Sequence, residues 1–372
     1  MTTPNKLWEI VRLFSTLGSV AFGGPAAHIA LLEEEVVKKR KWMTGEHFLD
    51  LVGATNLIPG PNSTEMILHC GYERAGWKGL VLAGACFIFP AVLLTALLAW
   101  LYQTYGELPQ VAPFLQGIQA AVIVLIAMAA YRLSKKAFKN TFLLILSGLG
   151  LAAALWGVTE LIILLAGGAA SWLAFSLQKR SNTLQSFAPL LLFQVAGTGI
   201  SNSKIFLTFL KIGSILYGSG YVLFAFLETE LIAQGWLTAE QLLDAVAIGQ
   251  ITPGPVLSTA TFIGWQMNGV AGAIAATLGI FLPSFIFVAI LNPLLPKLQK
   301  LEPVRAFLNG VNAMAVALII GVCLTMGQSN FDNWQSILIA ALTFAIVWRF
   351  PKFNGAWVVL GAALLGYVLS YC

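Results

Sequence analysis

Charge is what this sequence has least of: Asp, Glu, Lys and Arg make up 10% of its 372 residues, against 58% hydrophobic, and the mean hydropathy is +0.82. So little charge excludes a soluble domain of this size. Histidine and cysteine are also scarce, at 3 and 4 residues. Cys70, Cys86, Cys323 and Cys372 show neither C-x-x-C spacing nor histidines at metal-ligand intervals, which excludes a disulfide framework and a zinc site. H-E-x-x-H and G-x-S-x-G are absent, and His28, His69, Glu65 and Asp50 stand on separate segments, so an intramembrane hydrolase is disfavoured. Alternating strand-like patterns are missing, which excludes a β-barrel. The net charge is +5, but the cations lie between apolar segments and form no basic patch with interleaved aromatics, so nucleic acid is not a partner. No cleavable leader is expected, because the first apolar stretch runs into the charged cluster Glu33 to Lys41 without an A-x-A-like site.

What is present is a series of apolar runs, each long enough as a helix to cross about 30 Å of hydrocarbon. Crossings are expected at 8–32, 79–102, 113–131, 141–157 and 159–177, then at 205–229, 270–292, 306–326, 334–349 and 355–371. The eleven tryptophans mostly flank these segments, as an aromatic belt requires.

The sequence repeats itself. Leu17-Gly18-Ser19 through Phe22-Gly23-Gly24-Pro25 aligns with Ile212-Gly213-Ser214 through Tyr217-Gly218-Ser219-Gly220, and Glu33 and Glu35 align with Glu228 and Glu230. Onward, Pro59-Gly60-Pro61 matches Pro253-Gly254-Pro255, Gly71, Gly76, Gly79 and Pro90 match Gly264, Gly269, Gly272 and Pro283, and Gly117 matches Gly310. Five crossings per half invert the second half relative to the first, and matched loops carry opposite charge bias. Lys38 to Lys41 are basic where Gln234-Gly235-Trp236 is not, whereas Gln103 to Ala112 lacks the cations Lys297, Lys300 and Arg305 of its counterpart. The expected fold is therefore an all-α polytopic membrane protein of two inverted-topology repeats, each with about five transmembrane helices and a re-entrant Pro-Gly-Pro hairpin. Its parts are an N-terminal repeat over 1–180, a cytoplasmic linker over 181–204 whose apolar core Phe187 to Ile200 sits uneasily outside the bilayer, and a C-terminal repeat over 205–372.

Two short apolar stretches flank each Pro-Gly-Pro, too short to span singly. Pro61 and Pro255 suit the first turn of a new helix, and Gly60 and Gly254 permit the reversal that Pro59 and Pro253 begin. Helix starts at Asn62-Ser63-Thr64 and Val256-Leu257-Ser258 would direct amides and hydroxyls at a bound anion. Second breaks are expected at Gly23-Gly24-Pro25 and Gly218-Ser219-Gly220, with Asn56 and Gln250 as matched amides lining the cavity. His28 and Glu65 are candidates for proton coupling. The competing readings are a histidine satisfying a backbone carbonyl and a glutamate stabilising its own helix start. Arg12 and Lys211 either attract the anion or snorkel to the interface.

Phe22-Gly23-Gly24-Pro25 with His28, then Pro59-Gly60-Pro61, in a chain of two related halves, resembles the long-chain chromate transporter family. The resemblance implies export of chromate from the cell across the inner membrane, with sulfate as a related or competing oxyanion, and no enzymatic activity. It departs from the pattern where the second half carries Ser219-Gly220 for Gly24-Pro25 and Leu223 for His28. No cofactor or metal is indicated. The expected partners are the oxyanion and the bilayer, and a homodimer is left open.

Overall fold

The computed structural model describes residues 6–22, 25–55, 58–106, 108–179, 201–217, 220–291, 301–350 and 353–371, and among these the regular elements are all helical. Fourteen α-helices follow in order. They are α1 (Lys6–Val20), α2 (Pro25–Glu33), α3 (Gly45–Thr55), α4 (Asn62–Tyr105), α5 (Ala112–Ala137), α6 (Thr141–Leu155), α7 (Glu160–Lys179), α8 (Asn202–Ile215), α9 (Leu223–Leu227), α10 (Ala239–Ile251), α11 (Thr259–Leu291), α12 (Glu302–Asn330), α13 (Trp334–Arg349) and α14 (Gly355–Leu369). Five described helical stretches are long and apolar enough to cross a membrane, at Asn62–Tyr105, Ala112–Ala137, Glu160–Leu177, Val256–Ile290 and Glu302–Gln328. Three more apolar helices, α6, α13 and α14, are shorter. The chain is a multi-pass membrane protein.

Local sequence explains the matched ends. Asn140 and Asn333 occupy equivalent positions and each caps the following helix, accepting from the Leu143 and Ser336 amides. Thr238 and Gln241 form a reciprocal capping box at the start of α10. Matched π-helical turns at Glu34–Lys39 and Glu228–Ile232 extend α2 and α9.

The helix α4 is two helices in sequence. Gly76, with φ +61 and ψ −147, turns the chain back, and Gly269 does the same in α11 with φ +55 and ψ −145. Residues Gly71 and Gly79 would lie about 12 Å apart along straight helix. Instead, each one's Cβ position abuts the other's carbonyl, as at Gly264 and Gly272. A bare Cα is what lets the two arms approach so closely.

The expected single crossings at 8–32 and 205–229 are corrected by the structure. Lys211 and Glu230 form an ion pair at 2.5 Å, although nineteen residues of continuous helix would separate them by about 28 Å. In the first half, one guanidinium, that of Arg74, bonds Glu9 at 2.5 Å and lies 5.2 Å over the Trp42 ring. Phe14 also meets Trp42, with ring centroids 6.2 Å apart. Each of these segments therefore rises to its break and returns to the end of the bundle where it began. Local hydropathy does not distinguish such a hairpin from one long helix.

The halves are interlocked. α5 packs on α13 and α14, while α12 packs on α6 and α7. The matched glycines Gly117 and Gly310 bring these helices into contact, against the Ala362 and Gly167 carbonyls. At the centre α1 packs on α4, α8 on α11, and α4 on α11. The tip of α11 reaches the far end of α4, where Trp265 Nε1 donates to Gln103 Oε1 at 2.9 Å, and Asn268 of that tip donates to Asn202 at 2.7 Å. α7, in contrast, runs its C-terminal part along the start of α12, with Ser171 Oγ donating to the Ala306 carbonyl at 2.8 Å. Of the expected linker 181–204, residues 181–200 lie outside the described residues; Lys179 and Asn202, on either side of them, sit at opposite ends of the bundle.

Candidate functional site

The two Pro-Gly-Pro turns meet at the centre by a reciprocal exchange. The Gly60 amide donates to the Leu216 carbonyl at 2.6 Å, and the Gly254 amide donates to the Ala21 carbonyl at 2.8 Å. These are equivalent atoms in the repeat. Each turn is thus docked on the break after the first helix of the other half. Gly60 has φ +141 and Gly254 φ +91, conformations that a side chain resists. A Cβ at Gly254 would lie 2.8 Å from the Ala91 Cβ, and one at Gly60 would lie 2.8 Å from Ser284 Oγ and collide with Glu65 Oε1. Ala91 and Ser284 are themselves equivalent, each following the proline inside its helix, Pro90 or Pro283.

Polar groups gather here. Thr64 and Ser258, equivalent positions just inside the two new helices, are both fully buried, and neither hydroxyl has a hydrogen-bond partner among the described residues. The same holds for both oxygens of Glu65 and for Ser284 Oγ, on residues with no exposed surface that lie against Gly60. Leaving such a group unsatisfied costs about 1–3 kcal/mol, and buried groups of this kind take water or another polar partner. A cluster of unsatisfied hydroxyls beside two helix starts, which carry partial positive charge, is an environment for a polar anion.

The structure places the predicted residues as follows. Pro59, Gly60 and Pro61 form the first turn, with Asn62, Ser63, Thr64 and Glu65 opening the helix after it; Ser63 is buried at 4%. Pro253, Gly254 and Pro255 form the second turn, followed by the 3-10 turn Val256–Ser258, and Gly220 is buried beside Val256 and Leu257. Gln250 lies near the end of α10, its Nε2 buried without a partner among the described residues. Gly23, Gly24, Asn56, Gly218 and Ser219 lie outside the described residues; Pro25 opens α2.

His28 and Glu65 serve different turns. His28 is 5% exposed, its Nε2 lies 3.2 Å from the Ala21 carbonyl that also receives the Gly254 amide, and its ring meets Phe87 edge-on at 5.8 Å. It therefore stands at the second half's turn. Glu65 lies beside Gly60, at the first half's turn, within electrostatic reach of Tyr217. Lys211 is held by Glu230, and Arg12 is exposed on α1, so neither cation faces this cluster. The acidic and basic run after α2 pairs with itself, Lys38 with Glu34 at 3.1 Å and Lys39 with Glu35 at 2.8 Å. Outside the spans, the hydrogen bond from Lys39 holds the Glu35 carboxyl below the usual range.

Sequence reasoning missed Ser284, which lies against Gly60. The available signal was the pair of in-helix prolines, since the residue after each faces the opposite turn.

The sequence profile of the chromate transporter family matches residues 8–172 and 203–367. The chain is 32% identical over 375 residues to the chromate transport protein of Cupriavidus metallidurans, covering 97% of this chain and 93% of that one. It is 32% identical over 389 residues to the chromate transport protein of Pseudomonas aeruginosa, covering 98% and 93%. A probable chromate transport protein of Synechococcus elongatus is 30% identical over 375 residues, covering 98% and 95%. No solved structure matches. These relatives are transport proteins and not enzymes, and with both halves matched in full, this chain belongs to the chromate transporter family.

Proposed function

We propose that the chain exports chromate across the inner membrane as a secondary active transporter, with sulfate as a competing tetrahedral oxyanion. The observation that carries this is the reciprocal docking of Gly60 on Leu216 and Gly254 on Ala21. It docks the turn before Thr64 and the turn before Ser258 on the opposite halves, which supports a reading in which both hydroxyls line one anion site. Thr64, Ser258 and Ser284 donate to the oxyanion together with the amides that open the helices at Asn62 and Val256. Neutral donors hold a divalent anion without the grip of a full positive charge, so release stays fast. Glu65 binds a proton when the anion is present, because an ionised carboxylate would repel it. With one proton beside it the dianion still carries net negative charge, so the membrane potential, negative inside, drives it outward.

The arrangement supports inverted repeats with re-entrant segments, although by a different count from the one the hydropathy suggests. The hairpins at α1–α2 and α8–α9, and those around the two Pro-Gly-Pro turns, enter from one face and return to it. Four crossings per half remain, α4's long arm with α5, α6 and α7, and α11's long arm with α12, α13 and α14. An even count leaves the halves inverted only if the chain passes between faces from Lys179 to Asn202, and those flanks lie at opposite ends. Irregular backbone at this depth is tolerated because protein surrounds it. Alternating access follows as rocking of the central hairpins against the interlocked outer helices.

Inside-out vesicles containing the protein test this directly. Chromate should accumulate against its gradient, lose that accumulation when the membrane potential is collapsed, and be inhibited by sulfate. Chromate flux that only ever runs downhill would replace the carrier with a channel, and no protein-dependent flux from correctly inserted protein would refute the substrate.

A further inference from the structure

A cavity of about 140 Å³ opens between the end of α5 and the start of α12, well away from the Pro-Gly-Pro turns. It is several times the roughly 30 Å³ share of one water in the liquid. Lys136, Lys139, Asn309 and Asn312 stand in its wall, and no carboxylate does among the described residues. Lys139 Nζ donates to Asn309 Oδ1 at 2.7 Å, a bond that ties the end of α5 to α12 and fixes the ammonium at the wall. Lys136 and Lys139 lie at the lysine-rich end of the bundle, which the positive-inside bias assigns to the cytoplasm.

The inner wall of the cavity is the informative part. Val222, fully buried, closes it together with Val316 and Ile319. Val222 ends the 3-10 turn that begins at Gly220, the second half's break, and α12 packs on that turn. Arg132, one turn before Lys136 on α5, lies within electrostatic reach of Tyr221 in the same turn. Basic and amide side chains therefore lead from the cytoplasmic surface to an apolar closure one residue from the broken helix.

We propose that this cavity is a cytoplasmic vestibule that concentrates small inorganic oxyanions, closed at its inner end by Val222. Cations in a concave wall with apolar backing focus their field outward, which raises the local concentration and capture rate of anions by factors of about 10–1,000. The ion's identity rests on the transport reading above. The selection for negative charge rests only on the wall.

The test uses the full chain with Asn312→Cys, in inside-out vesicles that expose this face. Anionic and cationic methanethiosulfonates of equal size modify the new thiol, and the rate is taken as the increment over protein with its native cysteines alone. The anionic reagent should react about tenfold faster, sulfate should slow it, and the preference should fall towards one with Lys136→Gln and Lys139→Gln together. Lys136→Arg with Lys139→Arg should keep the preference, which separates charge from shape. Equal rates for the two reagents, or a preference that survives both glutamines, would overturn the proposal. The two readings fail separately: a lysine-dependent preference in protein that moves no chromate keeps the vestibule and removes the transport reading, whereas equal rates in active protein do the reverse.

Discussion

The two halves share a backbone and differ in their chemistry. Gly60 and Gly254 make the same cross-half hydrogen bond, Gly71 with Gly79 and Gly264 with Gly272 make the same close contact, and Gly76 and Gly269 make the same reversal. Around the turns, however, Glu65 corresponds to Thr259, His28 to Leu223 and Ser284 to Ala91. Symmetry is kept where the chain must turn and is broken where a proton or an anion would bind. The first half supplies both titratable groups, and the second supplies the extra hydroxyl that lies against Glu65's own turn.

The largest effect should come from the shared backbone. Gly71→Val and Gly264→Val both drive a side chain into a carbonyl of the returning arm, and overpacking of this kind costs about 1–3 kcal/mol or more. Both variants should lose monodisperse protein on size-exclusion chromatography to a similar degree. A large loss from one alone would break the equivalence of the halves.

Next comes the broken symmetry. Glu65→Gln should flatten the pH profile of chromate flux, while Thr259→Val, at the equivalent position, should leave that profile in place. Vesicle uptake across external pH checks both. A profile that survives Glu65→Gln would move the proton elsewhere.

A smaller contrast concerns Asp244, which is buried at 1% and accepts from Tyr102 and Gln119 at 2.7 Å each. An asparagine there offers one acceptor oxygen for the two donors, at a cost of about 1–3 kcal/mol. The equivalent Asp50 is exposed, and Asp50→Asn should change stability by about 0.5 kcal/mol or less. Thermal unfolding in detergent separates them.

The smallest concerns Glu35, one-fifth exposed in its pair with Lys39 and Arg40. Its carboxyl is held below the ordinary value by the Lys39 hydrogen bond, so its contribution is present above that ordinary value and is lost as pH falls through the lowered one. Solvent screening keeps it at about 1 kcal/mol or below. The difference in melting temperature between wild type and Glu35→Gln should therefore shrink in acid, and a difference that grew in acid would contradict the pairing.

Much of this was legible from residues alone. The Pro-Gly-Pro turns, the repeat and the glycines that line its contacts are local signals, because proline and glycine act on their own dihedral angles. The family was legible for the same reason. What local reading could not see was that 8–32 and 205–229 turn back on themselves. An apolar run is equally apolar straight or folded, and the pair that reports the fold, Lys211 with Glu230, spans nineteen residues. A hint was present, since α1 and α8 are only 15 and 14 residues long before their breaks, too short to cross. Ser284 was invisible because its role depends on a turn in the other half.

If both halves build one site, that site binds a single anion. Equilibrium binding of radiolabelled chromate to purified protein tests it, with Thr64→Ala and Ser258→Ala as separate variants. The account predicts one anion per chain, with either substitution weakening that single site about tenfold, as loss of a hydrogen bond to a charged group should. Two anions per chain, each weakened by only one substitution, would contradict it.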